Sequence, residues 1–114
     1  MGQPVVHFEI HGGEQLNKFY ADLFDWHVDS NNPMNYGMVD THGGKDGING
    51  GIAPDDEKWV TIYVQVDDLQ AALDKAEQLG AKTIMPPSDI PGGNVSLALF
   101  ADPEGNRIGL VKGM

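Results

Sequence analysis

A regular alternation of apolar and polar residues predicts a β-strand over residues 5–10. Its two faces carry Val6, Phe8 and Ile10 on one side and Val5, His7 and Glu9 on the other. A helix is predicted next, over residues 14–24, because apolar residues recur there at i, i+3, i+4 and i+7. This apolar stripe, which we expect to be core, consists of Leu16, Phe19, Tyr20 and Leu23. Three short strands are predicted after it, over residues 26–29, 34–39 and 48–53.

The same order of elements is predicted again after a charged connector at residues 54–58. A strand over residues 59–66 alternates cleanly, and its apolar set, expected to pack against a helix, is Ile62, Val64 and Val66. That helix can be capped by Asp67 or Asp68 and ends at Gly80. The remaining predicted elements are strands over residues 82–85 and 95–101, a Pro/Gly-rich loop over 86–94, and a closing hairpin over 101–111.

An internal repeat relates the two halves of the chain. The second half begins 56 residues after the first, so that Val5 corresponds to Thr61 and Leu16 to Ala72. Both halves follow the order strand, helix, strand, strand, strand, which predicts an α+β fold of two βαβββ modules. We place the modules at residues 4–53 and 59–112 of a single domain, 1–114. We expect the faces that the helices leave bare to form a concave trough, a usual shape for a small-molecule site.

Composition limits the classes of partner. Acidic residues outnumber basic ones by 17 to 7, and the net charge is −10. A polyanion would be repelled, so we expect neither nucleic acid nor an anionic membrane as a partner. The chain has no cysteine, which excludes disulfides and thiolate chemistry, and it begins with no recognisable secretory signal. We therefore expect a cytoplasmic protein.

Several short motifs, in this order and spacing, make the chain resemble one superfamily. They are His7-Phe-Glu-Ile10, Phe19-Tyr20, Leu23-Phe-Asp-Trp26, Val64-Gln-Val-Asp-Asp-Leu69 and Asp102-Pro-Glu-Gly-Asn106. The chain resembles the vicinal oxygen chelate superfamily, which includes glyoxalase I, bleomycin-resistance proteins and extradiol dioxygenases. The resemblance covers about residues 4–112. It implies a U-shaped cleft between the two modules, and often a homodimer.

The metal enzymes of this superfamily hold an ion with four ligands, usually His, Glu or Gln. The resemblance places those four positions on Val5, Gly51, Thr61 and Gly109. None of these residues is a plausible ligand of a divalent ion, because two lack a side chain, one is apolar and a threonine hydroxyl is weak. We therefore predict no metal and no other cofactor, and we do not expect typical glyoxalase I activity. The two glycines are expected to leave room at the floor of the cleft.

Residues that share a face with those four positions are candidates for ligand binding. They are His7, Glu9, Asn49, Trp59, Tyr63, Gln65 and Arg107. The alternative is that the polar members hydrogen-bond one another across a seam between the modules. His7 and Glu9 are also candidates for acid–base catalysis, although two polar residues on one strand face are weak evidence for it. The other three histidines, His11, His27 and His42, are interpreted as surface residues.

Two functional hypotheses follow from these residues and from the resemblance. The first is a metal-independent protein that binds a small organic molecule in the cleft. The second is a glyoxalase-like lyase or isomerase that acts on a small carbonyl compound. A third possibility is that side chains or a partner chain fill the trough, which leaves a role in assembly only. The loop over residues 86–94 is interpreted either as a lid or as an ordinary surface connection.

Overall fold

The computed structural model describes residues 2–91 and 94–114. Two βαβββ repeats are present in the predicted order, which confirms the α+β class. The helices are α1 (Gln15–Phe24) and α2 (Leu69–Gln78). The strands are β1 (Val5–Gly12), β2 (His27–Asp29), β3 (Gly37–Asp40), β4 (Gly50–Pro54), β5 (Trp59–Gln65), β6 (Lys82–Asp89), β7 (Ser96–Ala101) and β8 (Arg107–Lys112). A short 3₁₀ helix, Gly44–Asp46, lies between β3 and β4.

The chain divides into two compact units. The first unit is His7–Thr61, and the second is Met1–Val6 together with Ile62–Met114. These units share most of their residues with the expected modules, 4–53 and 59–112.

In the first unit the strands follow the order β2, β3, β4, β1. β4 is parallel to β1 and antiparallel to β3, so it lies between two neighbours and is buried over its first three residues. The parallel pair sets Glu9 directly opposite Gly51 and Phe8 opposite Gly50. Because partner residues on neighbouring strands point to the same face, the space beside the Glu9 side chain is the space above Gly51. The largest buried apolar side chains of this unit are Val39 and Ile52.

The prediction that the apolar stripe of α1 is core is wrong. Within α1, all of which the structure describes, no residue is buried. Phe19 is 53% exposed and Leu23 57%. The rings on this side of the helix contact one another and Trp26, whose ring lies 5.7 Å from that of Tyr20. An amphipathic stripe shows which side of a helix faces the sheet, but β2 and β3 have only three and four residues and offer little surface to cover it.

In the second unit the strands follow the order β5, β8, β7, β6. Here the helix does build the core: Leu69 and Leu73 of α2 are 5% and 1% exposed and pack with Ala98 and Leu110. Asp68 caps α2 as expected, because its carboxylate accepts a hydrogen bond from the backbone N–H of Ala71 at 3.0 Å. The helix ends before Gly80, which has a φ of +105° that favours glycine.

One of the apolar residues expected to pack under α2 does not do so. Val64 and Val66 contact the core cluster, whereas Ile62 is 37% exposed. The polar-face residue Tyr63 is 7% exposed instead. The reason is that the α2 core cluster packs against Val64 and Val66, at and just after the C-terminal end of β5. Alternation correctly separated the two faces of this strand, but it did not show which face is buried at each position.

The expected loop over residues 86–94 is partly a strand. β6 continues through Pro86 and Pro87 to Asp89, which pairs with Ser96 of β7. Two register shifts interrupt this pairing, between Thr83 and Met85 and between Met85 and Ser88. Proline is tolerated there because β6 is the edge strand of the unit. The other part of the predicted loop, at Gly92 and Gly93, lies outside the described residues.

The closing hairpin forms as predicted. The Asp102 carboxylate accepts hydrogen bonds from the backbone N–H groups of Glu104 and Asn106 and from the Asn106 side chain, each at 2.9 Å. These donors, the Asn106 side chain first among them, hold the pKa of Asp102 below its usual value. Gly105 closes the turn with a φ of +92°.

Candidate functional site

Three titratable residues of β1 lie on the sheet face that α1 does not cover. Phe8 points to the other face, where its ring lies 5.4 Å from that of Trp26. By the alternation of the strand, His7, Glu9 and His11 therefore share the opposite face. Glu9 is 8% exposed, which is unusual for a carboxylate unless hydrogen bonds satisfy it.

Tyr36 supplies one of those hydrogen bonds. Its hydroxyl donates to Oε2 of Glu9 at 2.7 Å and lies 2.9 Å from Nε2 of His7. A phenol has a single O–H, which Glu9 takes, so His7 must donate from Nε2 and the tyrosine oxygen accepts. Burial lowers the pKa of His7, and the nearby Glu9 charge opposes this shift in part. His7 is therefore held in the neutral form, with its proton on Nε2.

His11 supplies the second hydrogen bond and links Glu9 to the connector after β4. Its Nε2 lies 2.7 Å from Oε1 of Glu9, and its Nδ1 lies 3.1 Å from Oδ2 of Asp55. The partner of the imidazole is a carboxylate in both contacts, so His11 links Glu9 to Asp55. The ring also stacks on Trp59, with centroids 3.9 Å apart.

Asp55 anchors the far end of this chain of contacts. It accepts hydrogen bonds from the backbone N–H of Glu57 at 2.9 Å and from the Trp59 indole N–H at 3.1 Å. The Glu57 N–H, the indole and then His11 lower the pKa of Asp55. We call the connected set the Glu9 network; its members are His7, Tyr36, Glu9, His11, Asp55 and Trp59.

The position of Tyr36 is fixed by an asparagine and permitted by a glycine. The side chain of Asn32 makes two hydrogen bonds with the backbone of Tyr36. Its Oδ1 accepts from the Tyr36 N–H at 2.9 Å, and its Nδ2 donates to the Tyr36 carbonyl at 2.7 Å. The phenol then lies directly on Gly51, where a Cβ atom would collide with the hydroxyl and the ring. Gly51 is thus required by the tyrosine above it.

The second unit holds a counterpart of this arrangement. Gly109 of β8 is the strand partner of Tyr63, and a Cβ atom at Gly109 would collide with the Tyr63 ring. The expectation that the two glycines leave open room is therefore wrong, because an aromatic ring covers each of them. Sequence periodicity shows where a side chain is missing, but not which distant side chain fills the space.

The predicted ligand-binding residues fall into separate groups. His7, Glu9 and Trp59 belong to the Glu9 network. Asn49 is exposed, and its Oδ1 accepts from the backbone N–H of Thr41 at 3.1 Å, so it supports a loop. The remaining three, Tyr63, Gln65 and Arg107, belong to the second unit. In that unit Oε1 of Gln65 is buried and accepts no hydrogen bond from the described residues.

The four positions that the resemblance assigns to metal ligands do not fit a divalent ion. Val5 is 42% exposed and apolar, and Thr61 is 3% exposed and has only a hydroxyl to offer. At Gly51 and Gly109 the space for a ligating side chain is taken by Tyr36 and Tyr63. Over residues 2–91 and 94–114, no group of three or more His, Asp or Glu side chains is arranged to hold an ion.

The interpretation of His11 as a surface residue is wrong, since its side chain is 11% exposed and belongs to the network. Its signal was available, because His7, Glu9 and His11 continue one odd-numbered set along β1. Tyr36 and Asp55 were not among the candidates. The predicted strand over residues 34–39 includes Tyr36, but β3 begins only at Gly37, so strand parity did not give the direction of the Tyr36 side chain. Asp55 lies in the connector after β4, where strand parity does not apply.

Comparisons with known proteins show the family and the fold of the chain. The glyoxalase-like domain family matches residues 6–111, and the chain belongs to that family. No curated protein matches the chain in sequence. No helix among the described residues is long and apolar enough to cross a membrane.

Solved structures of the glyoxalase/bleomycin resistance/dioxygenase superfamily share the fold. A superfamily member from Vibrio splendidus 12B01 has a TM-score of 0.70 at 12% identity, over 98% of this chain and 100% of that one. Methylmalonyl-CoA epimerase from Mycobacterium tuberculosis gives 0.67 at 14% identity, over 96% and 87%. An Mn(II)-bound glyoxalase from Novosphingobium aromaticivorans gives 0.67 at 17% identity, over 95% of this chain and 37% of the larger one. At these identities the likeness concerns the fold alone.

Proposed function

We propose that this chain binds a small organic molecule on the polar sheet face of the first unit, beside Glu9, without a bound metal ion. The observation that carries the proposal is the corner formed by Glu9, His7, Tyr36 and Gly51, which we call the Glu9 corner. At this corner a buried carboxylate and a neutral imidazole lie next to Gly51, where β4 has no side chain. Such convergent polar groups are what small-molecule sites use to orient a ligand.

Metal independence is supported by the aromatic rings over Gly51 and Gly109. A divalent ion needs about three protein ligands, and the four family positions of this chain provide none of the usual ones. Of the residues predicted to bind a ligand, the proposal uses His7 and Glu9.

A thermal-shift panel of small organic compounds, run with and without a chelator, tests the proposal. A bound ligand stabilises the folded protein by mass action, so we expect hits whose shift in melting temperature is unchanged by EDTA. Glu9→Gln should reduce those shifts. Elemental analysis after dialysis completes the test, since a stoichiometric divalent ion, or hits that vanish with EDTA, would contradict metal independence.

A second candidate function is a glyoxalase-like lyase or isomerase that acts on a small carbonyl compound. It is favoured by the hydrogen bond between the Glu9 carboxylate and the Tyr36 hydroxyl, which pairs a proton acceptor with a proton donor at 2.7 Å. Solvent deuterium exchange at the carbon next to the carbonyl, followed by NMR, tests this candidate. Exchange that requires Glu9 would support catalysis, and its absence over a panel of carbonyl compounds would favour binding alone.

We also propose that the chain forms a homodimer, as the resemblance implies. The exposed apolar residues of α1, among them Phe19, Leu23 and Phe24, provide one surface that a second copy could cover. Light scattering after size exclusion tests this proposal, and a monomer at high micromolar concentration would contradict it.

A further inference from the structure

Tyr36 takes the place of a side chain that β4 lacks. Gly51 lies opposite Glu9 in the parallel pair, so any side chain at position 51 would stand next to the Glu9 carboxylate. The phenol of Tyr36 fills this space instead, with its hydroxyl and ring edge directly on Gly51. The Glu9 corner is therefore shaped to the edge of a hydroxylated aromatic ring.

The hydrogen bonds of the corner are specific for a hydroxyl group. Glu9 accepts the O–H of Tyr36, and His7 donates to the same oxygen from Nε2. An ether or a carbonyl could accept from His7 but would leave the buried Glu9 carboxylate without this donor, which is costly. A neutral hydroxyl satisfies both residues, whereas an anionic ligand would be repelled by Glu9.

Tyr36 is held by contacts that can open without breaking the sheet. It precedes β3, and the two hydrogen bonds that fix its backbone come from the side chain of Asn32 within the same turn. Movement of the ring out of the corner requires loss of those two bonds and of the contacts to Glu9 and His7, whereas the pairing of β3 with β4 begins only at Gly37. An external ring of the same kind can then take its place.

We propose that the Glu9 corner is a receptor for a neutral aromatic hydroxyl, which Tyr36 occupies in the free protein and an external ligand occupies when Tyr36 swings out. This inference rests on the proposed function and adds the chemistry of the ligand. Tyr36 acts as an internal competitor, because the ligand must replace its two hydrogen bonds before it gains its own. The hydrogen bonds of Tyr36 to Glu9 and His7 therefore lower the affinity of the unmodified protein for the external ligand.

Calorimetric titration of Tyr36→Ala with phenol and with anisole tests this proposal. Phenol restores the missing donor to Glu9, whereas anisole, its methyl ether, cannot. We expect the Kd of phenol for this variant to be at least about tenfold lower than the Kd of anisole. It should also be at least about tenfold lower than the Kd of phenol for the unmodified protein. Tyr20→Ala, which removes a tyrosine from the helix face of the same unit, is the matched control and should not discriminate between the probes.

Each outcome decides the inference. Equal binding of phenol and anisole by Tyr36→Ala would overturn the hydroxyl assignment and leave the proposed binding function standing. Binding of neither probe would also overturn it, and hits in the thermal-shift panel would then show whether the proposed function survives. If Tyr36→Ala does not fold, Tyr36→Phe weakens the competitor by removing its hydrogen bonds, so phenol should bind it more tightly than it binds the unmodified protein; equal affinity would contradict the proposal.

Discussion

Each unit has a tyrosine ring over a glycine, but the tyrosine comes from a different element in the two units. In each, a glycine on the last strand of the repeat, Gly51 or Gly109, leaves a gap that a tyrosine ring covers. In the second unit the ring belongs to Tyr63, the direct strand partner of Gly109. In the first unit it belongs to Tyr36, which precedes β3 in a turn and is held by Asn32.

This contrast indicates which of the two rings can give way to a ligand. Tyr63 is part of the β5 ladder and is 7% exposed, so its displacement would disturb the sheet. Tyr36 precedes the β3 ladder and makes hydrogen bonds with the side chains of Asn32, Glu9 and His7, and local opening of such a segment costs less than loss of strand pairing. The helices differ in the same sense, because α2 contributes buried leucines and α1 contributes no buried residue.

The two helices should differ most strongly when a leucine is truncated. Leu73→Ala should lower the free energy of unfolding by about 2–5 kcal/mol, because it empties part of a fully packed cluster. Leu23→Ala, the matched change on α1, should cost less than about 1 kcal/mol since the side chain is 57% exposed. Urea unfolding measures both variants, and equal losses would refute the contrast between the helices.

The tyrosine–glycine pairs provide the next effect. Gly51→Ala and Gly109→Ala should each cost about 1–3 kcal/mol, because the new methyl group meets a tyrosine ring. Addition of Tyr36→Ala should recover most of the loss at Gly51. Addition of Tyr63→Ala should not recover stability at Gly109, because it also removes a buried ring. Double-mutant cycles measure the couplings, and a Gly51 cycle without coupling would show that Tyr36 does not lie there.

The asparagine clamp provides a smaller effect. Asn32→Ala should cost about 1 kcal/mol, because it removes two hydrogen bonds to the Tyr36 backbone. In this variant the pKa of His7 should rise towards its ordinary value, since burial is what lowers it. Asn31→Ala, at an exposed neighbour, is the control. Histidine titration by NMR separates positioning from stability: an unchanged His7 curve in Asn32→Ala would remove Asn32 from the site.

A weak dependence of stability on pH should come from His7. The pKa of His7 is lowered in the folded state from 6.5, so below that pH the unfolded chain binds a proton that the folded chain resists. Stability is therefore full above about pH 6.5 and decreases as the pH falls below it. His7→Asn should flatten this slope in urea unfolding between pH 7 and pH 5, whereas the exposed-residue control His27→Asn should leave it in place. A slope unchanged in His7→Asn would contradict the assignment.

The periodicity of apolar residues, in strands and in helices, was the feature of the sequence that predicted most. It indicated the two faces of β1 and the repeat of βαβββ order, because both depend on local periodicity alone. It did not predict that Phe19 and Leu23 would remain exposed, since a helical stripe does not specify what covers it. It also did not predict Tyr36 in the site, because that position depends on the Asn32 clamp and on a gap at Gly51. Pro86 and Pro87 predict a loop, but they lie in β6, because an edge strand tolerates proline.

Displacement of Tyr36 by a ligand can be observed directly by NMR of the tyrosine rings. The chain has three tyrosines, so ring-labelled protein gives three sets of signals, and Tyr→Phe variants assign them. During titration with phenol, we predict that the Tyr36 signals move towards those of a solvent-exposed ring while the Tyr63 signals stay in place. Movement of Tyr63 alone, or saturation with phenol that leaves Tyr36 unchanged, would contradict the displacement of Tyr36.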